Sequence, residues 1–162
     1  MMLNDILTVD PGFHTGYAYW KGDKYPVTGS LNLSKGKKVV EPEMKFEDMW
    51  GKFEALIKSY NPEICFIESV EHWGGSLKSR VASVRGDLAT LSYLVGGYGN
   101  ICKQHGVVWC LVSAKQWKGQ LPNSALVERV KLINGQEYPN EHILCAVGIG
   151  LAKMGLLNWK SK

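Results

Sequence analysis

Two acidic residues stand where strands would end. Asp10 follows the apolar run Ile6-Leu7-Thr8-Val9 and is followed at once by Pro11-Gly12. Proline has no ladder donor and glycine tolerates unusual dihedrals, so the strand stops there with a carboxylate at its tip. Glu68 closes a second apolar run, Ile64-Cys65-Phe66-Ile67. If these two strands are neighbours, the side chains meet. Two carboxylates brought together repel unless a divalent cation neutralises them. Mg²⁺ accepts one or two carboxylates plus phosphate oxygens, the arrangement used for phosphoryl chemistry. Glu141-His142 opens the final helical pattern, and its first turn is in a position to complete such a site. Simpler roles exist for each residue. Aspartate commonly caps a turn, and Glu141 sits favourably at any helix N-terminus.

The elements that must position these residues follow from periodicity. Residues 5–10 and 15–21 read as strands joined by the tight turn, the second rich in aromatic and β-branched residues. Lys21-Gly22-Asp23-Lys24 reads as a hairpin turn, and Tyr25 to Leu33 as a third strand. Pro42 to Tyr60 carries Met44, Met49, Phe53, Leu56 and Ile57 near helical spacing, and Asn61-Pro62 ends it. The run ending at Glu68 is short and continuously apolar, as in a strand buried on both faces. Leu77 to His105 reads as one long helix. Its stripe of Leu77, Val81, Val84, Leu88, Leu91 and Val95 suits packing on a sheet or on a partner helix. A fifth strand at 107–112, a short helical turn within 113–122, and helices at 124–133 and 141–156 complete the chain. The order β-β-β-α-β-α-β-α-α predicts an α/β fold, a mixed five-stranded sheet with helices on both faces.

A chain of 162 residues, 45% hydrophobic and 21% charged, is expected to form one soluble domain with a substantial core. No apolar run is long enough to span a bilayer, and the N-terminus lacks a signal-peptide pattern, so a cytoplasmic location is expected. The four cysteines are far apart with no C-x-x-C pair, which favours buried thiols over disulfides or a zinc knuckle. Charge is unevenly distributed. Residues 1–74 hold 8 lysines against 11 acids, whereas residues 75–120 hold 6 basic residues against Asp87 alone. A basic middle beside an acidic first part suits a protein that grips a polyanion and keeps carboxylates for a metal, although an ordinary solvated surface has the same totals.

Asp10-Pro11-Gly12 through Thr15-Gly16, then Phe66-Ile67-Glu68, then His142 near the start of a final helix, together resemble the RuvC-type Holliday junction resolvases of the ribonuclease-H-like fold. Trp117-Lys118-Gly119-Gln120-Leu121-Pro122 and Ala146-Val147-Gly148-Ile149-Gly150 are similar to segments of phage-encoded members. The resemblance spans nearly the whole chain in the same order. It implies four metal ligands: Asp10, Glu68, and a pair three residues apart on the last helix. The first of that pair is His142. The second, an aspartate in the family, is here Cys145. A thiol is a soft ligand, poorly matched to Mg²⁺, and mostly protonated at neutral pH. Position 145 is expected to face a solvated, cation-binding cleft. Three readings stay open: a naturally degenerate site, an alteration at 145, or Glu141 and solvent filling the gap. Glu141, however, points about 100° away from His142 around the helix.

The resemblance further implies hydrolysis of a DNA phosphodiester with Mg²⁺ or Mn²⁺, by two ions, without a covalent nucleophile or a small-molecule cofactor. Branched DNA, in particular the four-way junction, is the implied partner, and a homodimer the implied assembly. Lys78, Arg80, Arg85, Lys115 and Lys118 are candidate phosphate contacts. Trp73 is a candidate for stacking on an unpaired base, or else a core or interface aromatic. The stripe from Leu77 to Val95 serves either a dimer or the sheet. Competing readings are a protein of the same fold that binds junctions without cutting them, an actin-like nucleotide site, and a structural adaptor. The actin-like site needs two related domains where this length gives one.

Overall fold

The computed structural model describes residues 5–22, 25–34, 42–70 and 87–157. Five strands form one sheet: β1 (Asp5–Asp10), β2 (His14–Lys21), β3 (Val27–Asn32), β4 (Ile64–Glu68) and β5 (Val108–Val112). The helices are α1 (Pro42–Tyr60), α2 (Asp87–Gln104), α3 (Ala114–Trp117), α4 (Asn123–Asn134) and α5 (Glu141–Lys153). The sheet order is β3-β2-β1-β4-β5. The first three strands meander antiparallel, and β4 and β5 add parallel to β1 through helical crossovers. The mixed sheet expected from the sequence is the one observed.

The sheet separates two cores, and the alternation of strand residues decides which core each side chain enters. Leu7, Val9, Tyr19, Cys65 and Ile67 pack with Met49, Phe53, Leu94 and Tyr98 of α1 and α2. Ile6, Ala18, Trp20, Phe66 and Val112 pack with Trp117, Leu126, Val130 and the α5 residues Leu144 to Leu151. In these strands the odd positions face α1 and α2, and the even positions face α5. Asp10, Gly16 and Glu68 are even. Helix α5 lies across β1 and β2. It is apolar nearly all round, which is why it is the most deeply buried helix.

Several details differ from expectation. Helix α5 stops at Lys153 rather than Leu156, because Gly155 turns left-handed (φ 72°) just beyond the Met154 cap. Cys65, Cys102 and Cys145 are buried, but Cys110 is exposed. It lies on the edge strand β5, where Val108 to Leu111 are all exposed. The apolar stripe lies partly outside the described residues. Within α2, Val95 is buried in the α1–α2 core and Leu91 packs against it, so this part of the stripe serves the sheet.

Candidate active site

β1 and β4 are parallel neighbours in register Val9↔Ile67, so Asp10 and Glu68 close adjacent strands at the same end and on the same face. The turn after Asp10 is held by Thr15. Its hydroxyl donates to the Gly12 carbonyl at 2.6 Å, accepts from the Gly12 N–H at 3.1 Å, and meets the Tyr98 hydroxyl at 2.9 Å. The T-G pair is thereby explained. Thr15 locks the turn, and Gly16, opposite Asp10 in the β1–β2 ladder, lets α5 approach. A Cβ at Gly16 would lie 2.2 Å from the His142 carbonyl carbon and oxygen.

Helix α5 begins directly above these strand ends. Asn140 caps it, its side-chain oxygen accepting from the N–H groups of His142 and Ile143 at 2.9 and 3.1 Å. His142 Nδ1 donates to Asp10 Oδ2 at 2.9 Å. That bond is the main reason the imidazole pKa is raised, against an opposing push from partial burial. With Nδ1 committed to Asp10, a neutral His142 has Nε2 as the nitrogen able to ligate. Further down, Thr8 donates to the Ala146 carbonyl at 2.7 Å and accepts from the Trp20 indole N–H at 3.2 Å, which pins α5 to β1.

Cys145 does not face a solvated cleft. It is 7% exposed and belongs to the α5 core. Its position one helical turn below His142 places it among the buried α5 residues Leu144 to Leu151. Burial pushes its thiol up to about 12, helped by the negative charges of Asp10, Glu68 and Glu141 and opposed by Lys118. The thiol is therefore neutral at physiological pH.

Glu68 accepts from the Trp117 indole N–H at 3.0 Å. Glu141 is turned toward α4, where the Asn123 side-chain amide donates to it. Asn123 also accepts from Lys118 Nζ at 2.9 Å, and that ammonium lies 5.5 Å from the Trp117 ring centre. Of the sequence-derived DNA contacts, Lys118 stands beside the acidic cluster and Lys115 is exposed on α3. Trp73, Lys78, Arg80 and Arg85 lie outside the described residues. Among the described residues, no three His, Cys, Asp or Glu side chains are close enough to hold one metal ion together. The donors do fit Mg²⁺ in a narrower sense. Asp10 and Glu68 offer hard oxygens at neighbouring strand tips, and one or two carboxylates are what Mg²⁺ takes from a protein.

Trp117, Asn123 and Gly16 were not read as site residues from sequence. Trp117 carried a signal, a large aromatic in a short polar segment; the asparagine carried none.

No protein-family model matches the chain, and no curated protein does. Solved structures do. Thermus thermophilus RuvC superposes with a TM-score of 0.65 at 16% identity, over 93% of this chain and 96% of that one. T. thermophilus RuvC in complex with a Holliday junction substrate gives 0.69 at 14% identity, over 94% and 97%. The yeast mitochondrial Holliday junction resolvase Ydc2 gives 0.53 at 15%, over 95% and 80%. The fold is the RuvC fold. At these identities the likeness concerns the path of the backbone, and the RuvC fold places strand-end acids beneath the last helix in this chain by the local means just described.

Proposed function

We propose that this chain is a metal-dependent, structure-specific endodeoxyribonuclease that hydrolyses phosphodiesters in Holliday junctions and related branched DNA. The observation that carries the reading is the placement of Asp10 and Glu68 at the ends of adjacent parallel strands, on one face, under the first turn of α5. The RuvC fold, shared with a protein solved in complex with a Holliday junction substrate, supports it. Asp10 and Glu68 would hold the cation, Mg²⁺ or Mn²⁺, with phosphate oxygens and water completing its shell. A bound divalent ion supplies Lewis-acid stabilisation of the phosphate and lowers the pKa of an attacking water. The protein's own part is positional. His142 fixes the rotamer of Asp10, Trp117 holds Glu68, and Lys118 brings positive charge to the edge of the acidic cluster for a phosphate. The chain would act as a homodimer in the cytoplasm of a bacterium or phage-infected host, since resolving a four-way junction takes two symmetric cuts. No helix among the described residues is long and apolar enough to cross a membrane.

A second reading has one observation in its favour. With a buried, neutral Cys145 in place of an aspartate, the site lacks one hard anionic ligand, and the chain binds junctions without cutting them efficiently. A labelled four-way junction incubated with the protein and Mg²⁺ or Mn²⁺ separates the two. Paired nicks support the nuclease. A shifted but uncut junction in both metals supports the second reading. Absence of junction binding overturns both.

A further inference from the structure

We propose that Trp117 is a positioning residue for Glu68, its indole N–H setting the orientation in which that carboxylate meets a divalent cation. The inference rests on the metal-nuclease reading and adds to it a determinant of cation affinity.

The indole N–H is a donor only, and it reaches Glu68 Oε2 at 3.0 Å. What matters is how little that donor is able to move. Trp117 is 1% exposed. Its ring lies against Gly148 of α5, where an added Cβ would stand 2.5 Å from the ring, and against the α4 core that contains Leu126. Helix α3, a single turn, is fixed at its start by a capping box: Ser113 accepts from the Gln116 N–H while the Gln116 side chain accepts from the Ser113 N–H. The chain enters α3 directly from β5, whose last residue Val112 pairs with Glu68 itself, and the Ser69 N–H donates to the Val112 carbonyl at 2.9 Å. Donor and acceptor are thus tied through backbone on one side and through a close-packed ring on the other.

Glutamate has three side-chain torsions, and a carboxylate that must present oxygens to an ion in a narrow geometry benefits from having them fixed beforehand. Groups that orient a metal-binding side chain without touching the ion commonly change affinity tenfold or more. A phenylalanine fills most of the same space, so packing alone does not call for an indole.

The test measures Mn²⁺ binding to the full chain by electron paramagnetic resonance, without DNA, alongside thermal melting. Trp117→Phe is expected to fold and to bind Mn²⁺ about tenfold more weakly. Leu126→Ala, which removes packing from the same core without touching the N–H, is expected to lower the melting temperature and leave Mn²⁺ affinity within about twofold. In wild-type protein, the ¹H–¹⁵N indole resonance of Trp117, assigned on the wild-type chain by through-bond correlation, is expected to move when Mg²⁺ is added. Equal Mn²⁺ affinity in wild type and Trp117→Phe overturns the positioning role and leaves the nuclease reading standing. If Trp117→Phe does not fold, an indole resonance that ignores Mg²⁺ overturns the role instead. Wild-type protein that binds no Mn²⁺ at millimolar concentration overturns the nuclease reading and this role with it.

Discussion

Replacing Cys145 by aspartate restores the residue type that the RuvC resemblance leads one to expect, and the structure allows its consequence to be worked out. The site disfavours an anion. A thiol pushed from 9.0 to about 12 by burial and by Asp10, Glu68 and Glu141 corresponds, at about 1.4 kcal/mol per pH unit, to about 4 kcal/mol against negative charge at this point. Cysteine escapes this at pH 7 because it is neutral in both the folded and the unfolded chain. Aspartate does not, since it is ionised when unfolded. In the absence of metal, Cys145→Asp should therefore destabilise the protein by about 4 kcal/mol, a drop of about 8–16 °C for a domain of this size. A divalent cation reverses the sign of the local potential, so Mg²⁺ should raise the melting temperature of the variant far more than that of wild type. Single-turnover cleavage of a four-way junction should rise with it. Melting curves with and without Mg²⁺, for both proteins, read the first effect directly. A variant that is neither destabilised without metal nor selectively rescued by Mg²⁺ would refute the electrostatic reasoning. Fast cutting by the cysteine form, with no gain from aspartate, would show that the ligand assignment on α5 is wrong.

Three further outcomes are expected. The His142–Asp10 pair raises the imidazole pKa, so its stabilising contribution is fully present below pH 6.5 and is lost as pH rises through the raised value; cation affinity should climb over that same window as the imidazolium's positive charge beside Asp10 is lost, and a pH-independent Mn²⁺ affinity would contradict this. Gly16→Ala places a Cβ 2.2 Å from the His142 backbone and should destabilise by about 1–3 kcal/mol, visible as a lower urea midpoint; an unchanged midpoint would mean α5 is not seated as described. Junction binding should weaken with salt with a log–log slope near about −5 for about six phosphate contacts, and Lys118→Ala should reduce that slope by about 1 without altering preference for the junction; a flat salt response would remove nucleic acid as the partner.

The strands and their order were legible because their signals are local. Pro11 and Gly12 end the strand at Asp10 through their own backbone chemistry, and Ile64 to Ile67 is apolar enough to be buried on both faces. The adjacency of Asp10 and Glu68 followed from topology, and the parallel register of β1 and β4 bears it out. Cys145 was misplaced for a reason sequence does not encode. Its burial depends on which face of α5 meets the sheet, and that is decided by tertiary packing against residues far away in the chain, such as Gly16. The partners of the carboxylates were equally hidden. Trp117 and Glu68 are 49 residues apart, and only the pairing of β5 with β4 brings them together. The end of the last helix was missed by three residues because Leu156 continues the apolar pattern past the turn at Gly155.

The alternation of the sheet between two cores has a practical consequence for mutational scanning. Along β1, β2 and β4, a substitution at an odd position such as Leu7, Tyr19 or Ile67 disturbs only the α1–α2 layer, Thr15 at the Asp10 turn excepted. Its effect should register as less protein in the cell, with each surviving molecule as competent as before. A substitution at an even position near the strand ends falls in the layer shared by Asp10, Glu68 and α5, where abundance and competence change together or competence alone changes. Two parallel readouts of one variant library, cellular abundance and DNA processing, would thus separate into alternate residues along each strand. That two-residue rhythm would report the orientation of the sheet relative to its chemistry without any further structure.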